Sequence, residues 1–213
     1  MSNLFYAVYA IGLLPFLFFF WRRLKEDYTS GQIFTAGFYI IFSVFFFILA
    51  FTLGIPRVIA ASPIYSPSGL WFWGAVLGLM IGLGLSIWKL NLKFFETLEA
   101  GILGSFFWLA VIFLINSVRD SSVVSLTAFG VSAALILLFF FLDGRYKKFT
   151  WYRSGKIGFS GLAVAGTFFF VRAAVALFFP FVLSFVGKLD ALISGSISFI
   201  LFLLLYNLAE YEK

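Results

Sequence analysis

Apolar residues recur in unbroken runs of about 18–23 positions, the length an α-helix needs to cross the hydrocarbon core of a bilayer. Seven such runs fall near residues 4–21, 33–53, 70–88, 97–117, 123–142, 157–179 and 189–208. Polar and charged residues gather in the short segments between them. The pattern predicts an all-α membrane protein, a bundle of seven transmembrane helices forming a single polytopic domain over residues 1–213.

Charge orients the bundle. The first run has no basic residue before it and Arg22, Arg23 and Lys25 just after it. That order is the reverse of a cleavable signal peptide, so the first span is expected to be retained with its N-terminus outside. Placing the first loop in the cytoplasm puts Arg22, Arg23, Lys25, Lys89, Lys93, Arg145, Lys147, Lys148, Arg153, Lys156 and Lys213 on the inner side. Only Arg57, Arg119 and Lys188 fall outside, an asymmetry that follows the positive-inside rule and predicts a cytoplasmic C-terminus.

The fifteenth basic residue, Arg172, lies within the sixth run. At 100° per residue it shares an arc with Gly161, Ala165 and Ala176, small residues that mark a helix-facing side. Arg172 is therefore expected to face the bundle, roughly 10 Å below the outer surface at 1.5 Å per residue. Two readings stay open. A guanidinium can hold a lipid phosphate through its planar fork, or it can pair with Asp120 or Asp190 near the outer boundary. No acid lies at matching depth in another span.

Other features point to packing and anchoring. Gly74, Gly78 and Gly82 repeat every four residues and predict a close helix–helix approach. Glu96 and Glu99 read as favourable charge at a helix N-terminus, with a paired-carboxylate site as the other reading. The segment 143–156 reads as an orienting basic loop with an aromatic belt, or as a grip on anionic lipids. Residues 54–69, with three prolines, read as a connecting loop or an interfacial segment.

Composition narrows the chemistry. Hydrophobic residues make up 63% and charged residues 11% of the chain, far from the balance of a water-soluble domain. With no Cys and no His, thiol nucleophiles, His triads, disulfides and His or thiolate metal sites are excluded. Proton transfer falls to Asp, Glu, Lys, Arg or Tyr. The net charge of +6 sits beside apolar runs, which favours anionic lipid over nucleic acid.

Several stretches, in order along the chain, carry a resemblance: FYAVYAIGLL with the following WRR, GIPRVI at 54–59, GLWFWGAVLGLMIG at 69–82, FFETLEAGILGSFFWLAVIFLINS at 94–117 and SGKIGFSGLAVAGTFFFVR at 154–172. Together they resemble the prolipoprotein diacylglyceryl transferase family of the bacterial cytoplasmic membrane. The family implies seven spans, an outside N-terminus and a site open to the outer leaflet, where a diacylglyceryl group passes from phosphatidylglycerol to a lipoprotein cysteine. Tyr6 falls on the family's tyrosine, Arg57 on its loop arginine and Asn116 on the second signature asparagine. The family's histidine is replaced by Trp73, its signature arginine, first asparagine and glutamate by Ala110, Phe113 and Val118, and its Tyr-Glu pair by Phe129–Gly130. Its sixth-span arginine position holds Phe169, with Arg172 one turn further on.

The resemblance implies a phospholipid-handling membrane protein, with anionic lipid such as phosphatidylglycerol and a lipoprotein precursor as partners, and no cofactor. Arg172, Arg57, Asn116 and Tyr6 are the expected headgroup contacts, while no catalytic residue is assigned. A catalytically inactive lipid- or peptide-binding protein and a small transporter are the competing readings. The transporter is disfavoured by the lack of proline-broken helix pairs and of midplane acids.

Overall fold

The computed structural model describes residues 3–54, 70–150, 152, 154–178 and 187–210, with the side chains of 3–10, 53, 54 and 187 outside that description. Among the described residues there is helix and turn but no strand. The helices are α1 (Asn3–Leu24), α2 (Ser30–Leu49, prolonged by a π-helical turn Ala50–Gly54), α3 (Leu70–Leu90), α4 (Phe94–Asp120), α5 (Val123–Asp143), α6 (Phe159–Phe178) and α7 (Gly187–Glu210). Six of them, α2 to α7, are long and apolar enough to cross a membrane, which makes the chain a multi-pass helical membrane protein. Its outward faces are as apolar as its inner ones: Phe34, Phe38, Phe42 and Phe46 form an exposed row along α2. A helix that is hydrophobic all round needs lipid, not water, on its outer side.

Local chemistry sets the helix ends. Thr29 and Gln32 form a reciprocal capping box at the start of α2: the Gln32 N–H donates to Thr29 Oγ1 at 3.4 Å and the Thr29 N–H to Gln32 Oε1 at 3.2 Å. Ser122 accepts from the Ser125 N–H at the start of α5. Asn91 and Ser121 end α3 and α4 with φ of 51° and 47°, left-handed conformations that stop a helix. The sequence places the sixth span from 157, but α6 begins two residues later because Gly158 has φ of 122°.

The chain forms two compact units. One comprises Met1–Ile33, Phe94–Ala165 and Leu201–Lys213; the other Phe34–Lys93 and Gly166–Ile200. In the first, α1 and α4 run antiparallel, with Gly12 beneath Trp108 and Gly104 against the Phe16 ring. Phe19 stacks on Phe107 with ring centroids 3.6 Å apart. The segment after α5 corrects an expectation. Tyr146 and Tyr152 are not an aromatic belt facing lipid; both are 4% exposed and pack with Phe159, Leu162, Leu205 and Leu208. The Tyr146 and Tyr152 rings both pack on Phe159, with centroids 5.9 and 4.9 Å apart, so their apolar bodies are buried against the start of α6.

In the second unit the glycine row does what its spacing predicts. A Cβ on Gly74, Gly78 or Gly82 would lie 2.7 Å from Phe47 O, 2.6 Å from Val44 Cα and 2.6 Å from Ile40 Cα. The partners step backwards as the glycines step forwards, so α2 and α3 are antiparallel and in backbone contact. Ser86 continues the row and donates to Ala36 O at 3.2 Å and to its own helix at Gly82 O at 2.7 Å. In lipid such close approach replaces the hydrophobic drive that water would supply.

Candidate functional site

The second unit holds, among its described residues, a charged pair between apolar helices. Arg172 projects from α6, and the α6–α7 hairpin brings it to Asp190 in the first turn of α7. Arg172 Nη2 donates to Asp190 Oδ2 at 2.8 Å and Oδ1 at 3.1 Å, and the Trp73 indole N–H donates to Oδ1 at 2.8 Å. The Asp190 side chain is 0% exposed and that of Arg172 11%. The guanidinium lies over the Phe72 ring, 3.8 Å from its centroid, with Trp73 at 5.4 Å. Trp73 in turn stacks on Phe169. The inward aim expected from the Gly161–Ala165–Ala176 arc is thus observed, since Ala165 and Ala176 are buried too.

Asp190 overturns the premise that Arg172 lacks an acid at its depth. The sequence places Asp190 at the outer boundary, at the start of the seventh run, and names it with Asp120 as a possible partner; in the structure it lies in the first turn of α7, points inward and is the acid that Arg172 meets. Here its carboxylate also gains the positive end of the α7 dipole. The pairing is not complete, however. Nη2 takes both carboxylate oxygens, and the buried Nε–H of Arg172 has no acceptor among the described residues. One turn along α7 from Asp190, the Ser194 hydroxyl is likewise buried and unpartnered, whereas Ser198, a further turn on, donates to Gly166 O at 2.8 Å.

None of the other expected contacts belongs to the described part of this unit. Arg57 lies outside the described residues, and so does the side chain of Tyr6 on α1. Asn116 is half-buried on α4, in the other compact unit. The positions where the resembled family carries chemistry are apolar or bare: Ala110 is buried, Phe113 and Phe129 half-buried, Val118 and Gly130 exposed. Trp73 is the exception in having a polar task, which a search for lost histidines does not reveal.

A second charged cluster, in the first unit, went unread in the sequence. Arg23 at the end of α1 forms a two-pronged bond to Asp143 at the end of α5, Nη2 to Oδ1 at 2.7 Å and Nη1 to Oδ2 at 3.0 Å. The same Nη2 donates to Glu99 Oε1. The other Glu99 oxygen accepts the Gly158 and Gly161 N–H groups at 3.0 and 3.2 Å. These are two of the N–H groups that the start of α6 would otherwise leave without a partner, so Glu99 caps α6 from another helix. Glu99 is 1% exposed and Glu96 is only half-buried, with Tyr28 Oη 3.5 Å from it. Glu96 stands in the first turn of α4, as the helix-charge reading expects, whereas Glu99 is turned to Arg23 and the start of α6. Gly161 has to be glycine, because a Cβ there would lie 2.9 Å from Glu99 Cα. Beside this cluster, burial pushes the Tyr146 phenol up to about 12, helped by the negative charges of Glu99 and Asp143. Burial raises Tyr152 as well.

Set against known proteins, the chain matches no family model, no curated protein and no solved structure.

Proposed function

We propose that this is a seven-span protein of the bacterial cytoplasmic membrane, N-terminus outside and C-terminus inside, which holds an anionic phospholipid headgroup at Arg172 without transferring its diacylglyceryl group. The observation that carries the reading is the buried Nε–H of Arg172 with no acceptor. A buried donor left unmade costs about 1–3 kcal/mol, more when charged, and a phosphate oxygen is the acceptor a guanidinium suits best. The charge asymmetry of the loops supports the orientation, and α1, at 22 residues, is long enough to be the seventh span. Absence of transfer follows from the apolar side chains at the positions the resemblance would make catalytic, since a leaving phosphate needs donors aimed at its developing charge.

The test compares the wild-type protein with a pair variant, R172L/D190N, in nanodiscs containing phosphatidylglycerol or phosphatidylcholine. Replacing both partners avoids a stranded charge, which removal of one alone would leave at about 3–5 kcal/mol. Wild type should retain phosphatidylglycerol over phosphatidylcholine, and the pair variant should lose that preference by about tenfold, the worth of one charge-assisted hydrogen bond. Competition by free glycerol phosphate separates a headgroup site from a site for a soluble phosphate. Equal lipid binding by both proteins, with a lower melting temperature for the variant, would make the pair a structural lock only.

A further inference from the structure

The phosphate site of the preceding reading contains an anion of its own. We infer that Asp190 is a built-in competitor for Arg172, an internal carboxylate that sets how tightly an anionic headgroup is held; the inference rests on the headgroup reading of Arg172. Three observations carry it. Asp190 draws only on Nη2, so the guanidinium is engaged through one nitrogen and its Nε–H remains open. Asp190 has support apart from Arg172, namely the Trp73 indole N–H at 2.8 Å and its place in the first turn of α7. It can therefore keep its place when part of the guanidinium turns to another oxyanion. Finally, Arg172 rests on the Phe72 ring at 3.8 Å, a contact that steadies the cation whichever anion it faces.

With the carboxylate in place, the Arg172–Asp190 pair has no net charge, and an incoming phosphodiester meets both the attraction of one group and the repulsion of the other. Removing the carboxylate charge while keeping its shape should then strengthen binding, the opposite of what a phosphate-site residue does when removed. Trp73 is a positioning residue in this scheme. It holds Asp190 in place and touches no lipid phosphate itself.

The experiment measures the affinity of the full chain for phosphatidylglycerol in nanodiscs for wild type, D190N, W73F and R172L/D190N, with a melting temperature for each. D190N should bind tighter by about fivefold or more, the lower end of usual coupling between sites. W73F should shift the same way by less, since it loosens the carboxylate without neutralising it. Unchanged or weaker binding by folded D190N overturns the inference. If D190N fails to fold, W73F decides, and unchanged affinity in W73F overturns it. When wild type binds better than R172L/D190N but neither single variant gains, the competitor falls and the headgroup reading stands. When wild type and R172L/D190N bind alike, both fall.

Discussion

Glu99 shows how much one buried carboxylate can organise. It answers the positive charge of Arg23 and accepts two N–H groups from the start of α6 while being 1% exposed. E99Q keeps an oxygen for those N–H groups but leaves Arg23 with Asp143 alone; E99A removes both functions. E99A should therefore unfold at lower temperature than E99Q, by a further free-energy loss of about 1–3 kcal/mol for the donors left unpaired. Equal melting temperatures for the two would mean that the cap is worth nothing. Trp73 raises a different expectation at the same scale. Together with Ala110 and Val118 it leaves the resembled transferase chemistry without its polar groups, so expression in cells depleted of their own transferase should give no rescue. Growth at the rate of the authentic enzyme would refute that mapping.

Among the elements, α2 and α3 make the sharpest contrast. Gly78 touches α2 through backbone, with Val44 Cα 2.6 Å from where its Cβ would stand, while Gly84 meets nothing within 4 Å. G78A should lower the melting temperature by the cost of overpacking, about 1–3 kcal/mol. G84A should leave it unchanged or raise it by up to about 1 kcal/mol through helix propensity. The same contrast explains what the sequence makes legible. A four-residue glycine spacing and a 20-residue apolar run are local signals, and the seven runs coincide with seven helices among the described residues. The burial of Arg172 was legible for the same reason, because a helical arc is local. Its partner was legible only as one of two acids, Asp120 and Asp190, because which of them meets Arg172 depends on how helices pack, and that is not a local signal. The Arg23–Glu99–Asp143 cluster joins three helices across 120 residues of chain, and the charge rule that reads Arg23 as an orienting residue hides its second role. Tyr146 and Tyr152 look like belt aromatics because their inward packing depends on Leu205 and Leu208, far along the chain.

At the scale of the whole molecule, the proposed orientation of the helical membrane architecture assigns each charged cluster a side of the membrane. In the proposed orientation, Arg23, Glu99 and Asp143 would belong to the cytoplasmic ends of their helices, and Arg172 and Asp190 to the outer leaflet, the side on which the proposed headgroup would be met. One missed or added span would invert every later segment and move Arg172 to the inner leaflet. The most direct measurement is a set of topology reporters fused after Arg23, Arg57, Lys93, Arg119 and Lys156 in living cells. The account predicts cytoplasmic signals after Arg23, Lys93 and Lys156 and external signals after Arg57 and Arg119. A single inverted reading among the five would contradict the seven-span orientation and the outer-leaflet site that depends on it.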